Sequence, residues 1–253
     1  MTTSRPAALV TGAGGGIGRA VAVELAATHN LILTDIFEAS LRETQALTAP
    51  VGAAVHAQVA DIARPGELDR VVTAGEKTLG TVSAAVACAG IEGAGTVETS
   101  DIENWQRSLN VNLTGTFLTA RAVIASLKAT AGSFTAIASD AGTNGFEDCV
   151  GYIAAKHGVI GVVRAMAVDH GRDGVRSNVV CPGYVETPMA RRILADSPEG
   201  TEDFYRSVIP LGRFATPQDV AAVVRHFVAG STYANGVVYA LDGGSTVGSY
   251  RGA

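Results

Sequence analysis

Tyr152 and Lys156 stand four residues apart in the segment Gly151-Tyr152-Ile153-Ala154-Ala155-Lys156. On a helix that spacing puts both side chains on one face. A phenol ordinarily titrates near ~10, and an ammonium beside it favours the phenolate. The pair can therefore act as a general base whose pKa the lysine brings down. Cys149 is the other reactive type in this stretch; no base accompanies it in sequence, so a small packing residue is its preferred reading.

A second chemical feature lies near the N-terminus, where Ala8-Leu9-Val10-Thr11 runs into Gly12-Ala13-Gly14-Gly15-Gly16-Ile17-Gly18. Glycine permits a tight turn there and lets a phosphate approach the amides at a helix N-terminus, which makes a dinucleotide cradle. The register departs from GxGxxG, because Ile17 falls where the third glycine is due from Gly12. Asp35 closes the second apolar run and is followed by Ile36. A carboxylate at that place accepts ribose hydroxyls and repels a 2′-phosphate, and no Lys or Arg lies between Gly12 and Gly18 to welcome one. The cofactor expected is NAD rather than NADP. Asp61, followed by Ile62, is placed either to meet the adenine amine or to cap the next helix.

These residues need a frame, and the chain supplies an alternation of short apolar runs with longer stretches of helical periodicity. The strand-like runs are 7–10, 31–34, 53–59, 83–88, 133–138, 177–180 and 237–241; the helical stretches include 17–28, 66–79, 102–128, 159–170 and 218–229. A βαβα rhythm of this kind implies an α/β fold, a seven-stranded parallel sheet wound doubly with helices on both faces. No repeat or linker interrupts it, so residues 1–253 are read as one Rossmann-type domain. The irregular part is 188–210, with Ser197-Pro198-Glu199-Gly200-Thr201 at its middle, and is read as a substrate lid.

At this point the chain resembles the classical short-chain dehydrogenase/reductase family along almost its full length. Thr11-Gly12 with Gly16-Ile17-Gly18 looks like the family's TGxxxGIG turn, and Asn112 in Asn110-Val111-Asn112-Leu113-Thr114-Gly115 looks like its helix-four asparagine. Ser139 precedes Tyr152 by the family's spacing. Pro182-Gly183-Tyr184-Val185-Glu186-Thr187 resembles the loop that holds the nicotinamide, and Asp242-Gly243-Gly244 resembles the C-terminal turn.

The resemblance implies that Ser139 hydrogen-bonds a substrate oxygen, that Tyr152 takes or gives the proton, and that Lys156 binds the nicotinamide ribose. It implies that Asn112 anchors a water chain from Lys156 to solvent, and that Thr187 and the backbone of Val185 orient the carboxamide. Ala89 and Gly90 approach the adenosine side, and Ala141, Cys149, Tyr184 and Met189 line the substrate pocket. A homotetramer is also implied. Where the family usually has Asn-Asn-Ala-Gly, this chain has Ala87-Cys88-Ala89-Gly90, so the side-chain hydrogen bonds that brace the turn must be replaced. The glycine turn equally fits the TGxxGxxG of the extended branch; the length and the Pro-Gly and Asp-Gly-Gly endings favour the classical one.

Composition narrows the partners. A formal charge of -5 with scattered charges offers no basic footprint for nucleic acid or anionic lipid. No apolar run reaches the ~18 residues of a membrane span, and the run at 6–10 is too brief for a signal peptide, so a cytoplasmic protein is expected. Three cysteines without metal-ligand spacing argue for free thiols and against a metal site. The expected activity is interconversion of a secondary alcohol and a ketone. A 3-ketoacyl-thioester reductase of the same family and a catalytically silent NAD-binding regulator are the alternatives, and no sequence feature selects the substrate.

Overall fold

The computed structural model describes residues 5–248. In chain order the elements are β1 (Ala7–Thr11), α1 (Gly16–Leu25), β2 (Asn30–Asp35), α2 (Glu38–Thr48), β3 (Val55–Val59), α3 (Glu67–Leu79), β4 (Val82–Ala87), α4 (Ile102–Ser108) and α5 (Gly115–Thr130). They continue with β5 (Ser133–Ile137), α6 (Val150–His170), β6 (Arg176–Pro182), α7 (Pro188–Ala195), α8 (Thr201–Val208), α9 (Pro217–Arg225) and β7 (Val238–Leu241).

All seven strands are parallel, in the order β3-β2-β1-β4-β5-β6-β7. This is the doubly wound Rossmann-type sheet that the alternating pattern predicts. Successive residues of a strand point to opposite faces. Leu9 accordingly joins the core with Val71, Val123, Phe134 and Val159, beneath α3, α5 and α6. Its neighbours Ala8 and Val10 join Val21, Leu25, Leu41 and Val224, beneath α1, α2 and α9. Burial of each large side chain in these layers is worth about 1.5–3 kcal/mol relative to leaving it in water.

Strand order reverses between β1 and β4, which opens a crevice at their carboxyl ends. Gly12, at φ 63°, lies in that crevice, and a Cβ on it would stand 2.7 Å from the backbone of Ala89. No residue but glycine fits there.

Two sequence expectations are corrected. The stretch 102–128 is two helices, because a π-helical turn at Leu109–Thr114 intervenes and carries Asn112 into the interior. Residues 188–210 are mostly helical: Thr187 caps α7 by accepting the Ala190 N–H at 3.2 Å with Pro188 at the first position, and Glu202 and Asp203 occupy the first turn of α8. Each helix is only eight residues long and buries no side chain completely, and the Ser197-Pro198-Glu199-Gly200 break between them interrupts any continuous helical pattern. The amphipathic α2 is also absent from the helical stretches named above; it buries only Leu41, Thr44 and Thr48.

Among the described residues, no helix is long and apolar enough to cross a membrane, and no group of three or more His, Cys, Asp or Glu is placed to hold a metal ion.

Candidate active site

Because the strands are parallel, their carboxyl ends share one edge, and most of the candidate residues fall on it. Gly12 follows β1, Asp35 ends β2, Asp61 and Ile62 follow β3, and Ala89 and Gly90 follow β4. Ser139 follows β5, while Pro182 ends β6 and leads into Gly183, Tyr184 and Val185. Asn112, Tyr152 and Lys156 come from helices and are brought to that edge by packing.

Lys156 is buried at 5% exposure, and its Nζ donates to the carbonyl of Ile137 at 3.0 Å. Ile137 ends β5, two residues before Ser139, so the lysine is tethered to the strand that presents the serine. The same Nζ stands 5.4 Å from the centroid of the Tyr152 ring. A Cβ on Gly90 would lie 2.9 Å from Asn112 Oδ1 and 3.6 Å from Lys156 Nζ, so the bare glycine leaves room for Asn112 on one hand and Lys156 on the other. Asn112 is fully buried; its Oδ1 accepts from the Ile91 N–H at 3.0 Å and its Nδ2 donates to Ser108 Oγ at 3.3 Å. These contacts, with the Ala89 N–H donating to Thr11 Oγ1 at 3.4 Å, brace the turn in place of the missing asparagines.

Burial dominates the proton equilibria. It pushes Tyr152 up to about 12, opposed by hydrogen bonding from Ser139 and aided by Asp140 and Cys149. It brings Lys156 down to about 8. The protein groups alone therefore reverse the lowering of Tyr152 that an adjacent ammonium leads one to expect, because desolvation of the hydroxyl outweighs a charge that faces its ring.

The Lys156 shift has a stability consequence. Its folded-state value near 8 lies below the ordinary 10.5, so below pH 8 the fold bears the full cost of a buried ammonium. Between pH 8 and 10.5 the unfolded chain binds more protons than the folded one, and that cost fades. A Lys156→Met variant is expected to melt above wild type at pH 7, by about 2–4 °C per kcal/mol recovered, with the gap closing by pH 10.5. Thermal melts at pH 7, 9 and 10.5 check this; a gap that ignores pH counts against it.

The dinucleotide cradle fits its expected occupant. The α1 N-terminus has no side-chain cap, and a Cβ on Gly15 would meet nothing within 4 Å, so open space adjoins unsatisfied amides. A Cβ on Gly18 would strike the Gly12 carbonyl at 2.1 Å, and one on Gly16 would come within 3.2 Å of Thr187 Cγ2, so the turn also touches the loop after β6. Asp35 sits beside this turn, Oδ2 accepting the Gly14 N–H at 2.9 Å and Oδ1 the Phe37 N–H at 3.0 Å. Each oxygen keeps acceptor capacity. Arg19, the nearest cation in sequence, is held by the Gly14 and Ser40 carbonyls, Thr44 and Glu43.

The other candidates are less central. Ile36 is 55% exposed beyond β2. Asp61 accepts the Ala63 N–H and pairs with Arg64, and the cap of α3 is Gly66, so the capping alternative for Asp61 is excluded. Ile62 is buried against Gly115. Val185 is buried and Met189 half-buried at the head of α7. Ala141 is buried, its N–H shared between Ser139 and Asp140. Cys149 borders a hollow of about 300 Å³ with Thr96, Phe146 and Ile153, residues the sequence did not single out. Tyr184 stacks on Tyr205 at 4.5 Å and on Phe214 at 5.1 Å, which joins the loop after β6 to α8. Tyr205 and Phe214 lie 21 and 30 positions beyond Tyr184, a pairing with no local signal.

Fold and constellation define a nicotinamide-dependent oxidoreductase of the Rossmann class. The family model described as enoyl-(acyl carrier protein) reductase matches residues 12–246. The chain is 34% identical over 242 residues to 2-(S)-hydroxypropyl-CoM dehydrogenase 3 of Xanthobacter autotrophicus, covering 94% of this chain and 95% of the relative. Its structure resembles the crystal structure of levodione reductase, with a TM-score of 0.92, 31% identity, and 96% and 98% of the two chains covered. It is also similar to the structure of an actinorhodin polyketide ketoreductase with NADPH, with a TM-score of 0.91, 31% identity, and 97% and 99% covered. The chain belongs to the classical short-chain dehydrogenase/reductase family.

Proposed function

We propose that this protein is an NAD-dependent dehydrogenase that interconverts a secondary alcohol and a ketone, with Tyr152 as general acid/base. The observation that carries this reading is the tether of Lys156 Nζ to the Ile137 carbonyl, which sets the lysine below the Tyr152 ring and beside the strand of Ser139. When bound, the nicotinamide accepts or returns the hydride at the carbinol carbon. The Lys156 ammonium, and a positively charged nicotinamide if bound beside it, would favour the Tyr152 phenolate against the effect of burial.

The chain's own residues do the rest. Tyr152 accepts the alcohol proton, Ser139 steadies the oxygen, and Asn112 holds a water path from Lys156. Gly12, Gly14, Gly15, Gly16, Ile17 and Gly18 cradle the pyrophosphate. Asp35 selects the unphosphorylated ribose, Asp61, Ile62, Ala89 and Gly90 flank the adenosine, and Gly183, Val185 and Thr187 hold the carboxamide end. Ala141, Cys149, Tyr184 and Met189 bound a pocket for a small neutral alcohol, with α7 and α8 as its lid. A homotetramer in the cytoplasm completes the reading; Phe117 on α5 is 47% exposed and Val168 on α6 is 82% exposed, apolar surface that subunit contact would cover.

The test is a screen of secondary alcohols with NAD⁺ and of ketones with NADH, each repeated with the phosphorylated cofactor. NADH formation from an alcohol supports the proposal. A thioester-linked ketone reduced only with NADPH would establish the ketoacyl reductase reading, to which the polyketide ketoreductase similarity points. Tight NADH binding without turnover of any compound would favour a silent regulator.

A further inference from the structure

Asp140 follows Ser139, and its carboxylate is partly enclosed where β5, β6 and the head of α6 converge. Ser139 Oγ lies 2.8 Å from Asp140 Oδ1, and the Ala141 N–H donates to Oδ1 at 2.9 Å and to Ser139 Oγ at 3.2 Å. A hydroxyl has one hydrogen, and an ionised carboxylate only accepts. The Ser139 hydrogen has two takers, Asp140 Oδ1 at 2.8 Å and the Tyr152 oxygen; given to the ionised carboxylate, it leaves the serine a lone pair to offer. An alcohol can donate to that lone pair. A carbonyl or a developing oxyanion cannot, since it needs a donor.

We propose that Asp140 is a positioning residue that holds the hydroxyl proton of Ser139, so that Ser139 meets a ligand oxygen as acceptor while Asp140 is ionised and as donor once Asp140 is protonated. The catalytic part of this inference rests on the assignment of Ser139 to the substrate oxygen.

The surroundings favour such a switch. Burial raises the Asp140 carboxyl above the ordinary carboxylate range against the pull of Ser139 and the Ala141 amide, and Asp242, just beyond β7, raises it further. Asp242 is itself held low: burial works against its ionisation, but the Thr246 hydroxyl and the amides of Gly244 and Thr246 outweigh it. Of the two carboxylates, Asp140 takes the proton. The titratable groups that feel its charge are Tyr152 and Cys149 at the start of α6, Cys181 on β6 and Tyr184 after it. Its second oxygen faces Gly183, where a Cβ would stand 3.6 Å away.

The experiment titrates Asp140 directly by NMR in protein labelled with carboxyl-¹³C aspartate, the resonance being assigned by its loss in Asp140→Asn or Asp140→Glu. The midpoint is expected above the ordinary carboxylate range and about 1–2 pH units higher still in Ser139→Ala, because the donor that favours the charged form is gone. In parallel, kcat/KM of Asp140→Ala, which has no acceptor to hold the Ser139 hydrogen, is expected to lose the acidic ionisation of the wild-type profile and to exceed wild type several-fold above its midpoint, in both reaction directions. A merely structural role would lower kcat/KM at every pH without changing the shape of the profile. An Asp140 midpoint indifferent to Ser139→Ala, or profiles of one shape, overturns the proposal. A coupled titration in a wild type that turns over no alcohol or ketone supports the proton link and sinks the dehydrogenase reading instead.

Discussion

A Tyr152→Phe variant is expected to lose turnover by about 10²–10⁴-fold, the usual reach of general acid/base catalysis, while binding NADH as tightly as wild type. The ring that faces Lys156 Nζ at 5.4 Å is kept, so Lys156 and its bond to Ile137 are undisturbed. What goes is the Tyr152 hydroxyl, placed among Ser139, Asp140 and Cys149, that takes the proton in the proposed reaction. Burial pushes that hydroxyl up to about 12, so alcohol oxidation by wild type should rise with pH as the phenolate forms, whereas residual activity of the variant should lack that rise. Steady-state rates from pH 6 to 10 and NADH fluorescence titration check both halves. Turnover retained in the variant removes Tyr152 from the role.

The second large effect concerns the cofactor. Asp35→Ser should weaken NADH by on the order of 10–100-fold, since a hydrogen bond to a charged group is worth about 1.5–3 kcal/mol, and should narrow the gap between NADH and NADPH. On the proposed NAD reading, the carboxylate that accepts the Gly14 and Phe37 amides would also repel a 2′-phosphate. Removing it relieves that repulsion, yet Arg19 is already engaged by the Gly14 and Ser40 carbonyls and Glu43 and supplies no free cation. Relaxed preference is therefore expected rather than a switch to NADPH. Affinities for both cofactors, measured side by side in wild type and variant, decide it. A wild type that favours NADPH would overturn the reading of Asp35.

Much of the fold and site is legible in the sequence alone, and the reason is the range over which each signal acts. Tyr152 and Lys156 are one helical turn apart, so their shared face follows from helix geometry alone. The glycine turn runs straight from β1 into α1, and the strands declare themselves as short apolar runs, so the doubly wound sheet is a local pattern repeated. Helices α7 and α8 are amphipathic but only eight residues each, split by Ser197-Pro198-Glu199-Gly200, so no apolar pattern runs on for the several turns that mark a helix in sequence, and the π-helical turn at Leu109–Thr114 adds a residue to one turn without a compositional mark.

Tyr152, Lys156, Ser139 and the glycine turn could be chosen from the sequence by their types and spacing. Their state could not. Which carbonyl holds Lys156, how Gly90 leaves room for Asn112 and Lys156, and which way burial moves the Tyr152 proton all depend on groups far apart in the chain, and where the Ser139 hydroxyl points depends on how the turn after β5 is packed. Desolvation and hydrogen-bond partnership are properties of the packed site, and only the tertiary structure decides them.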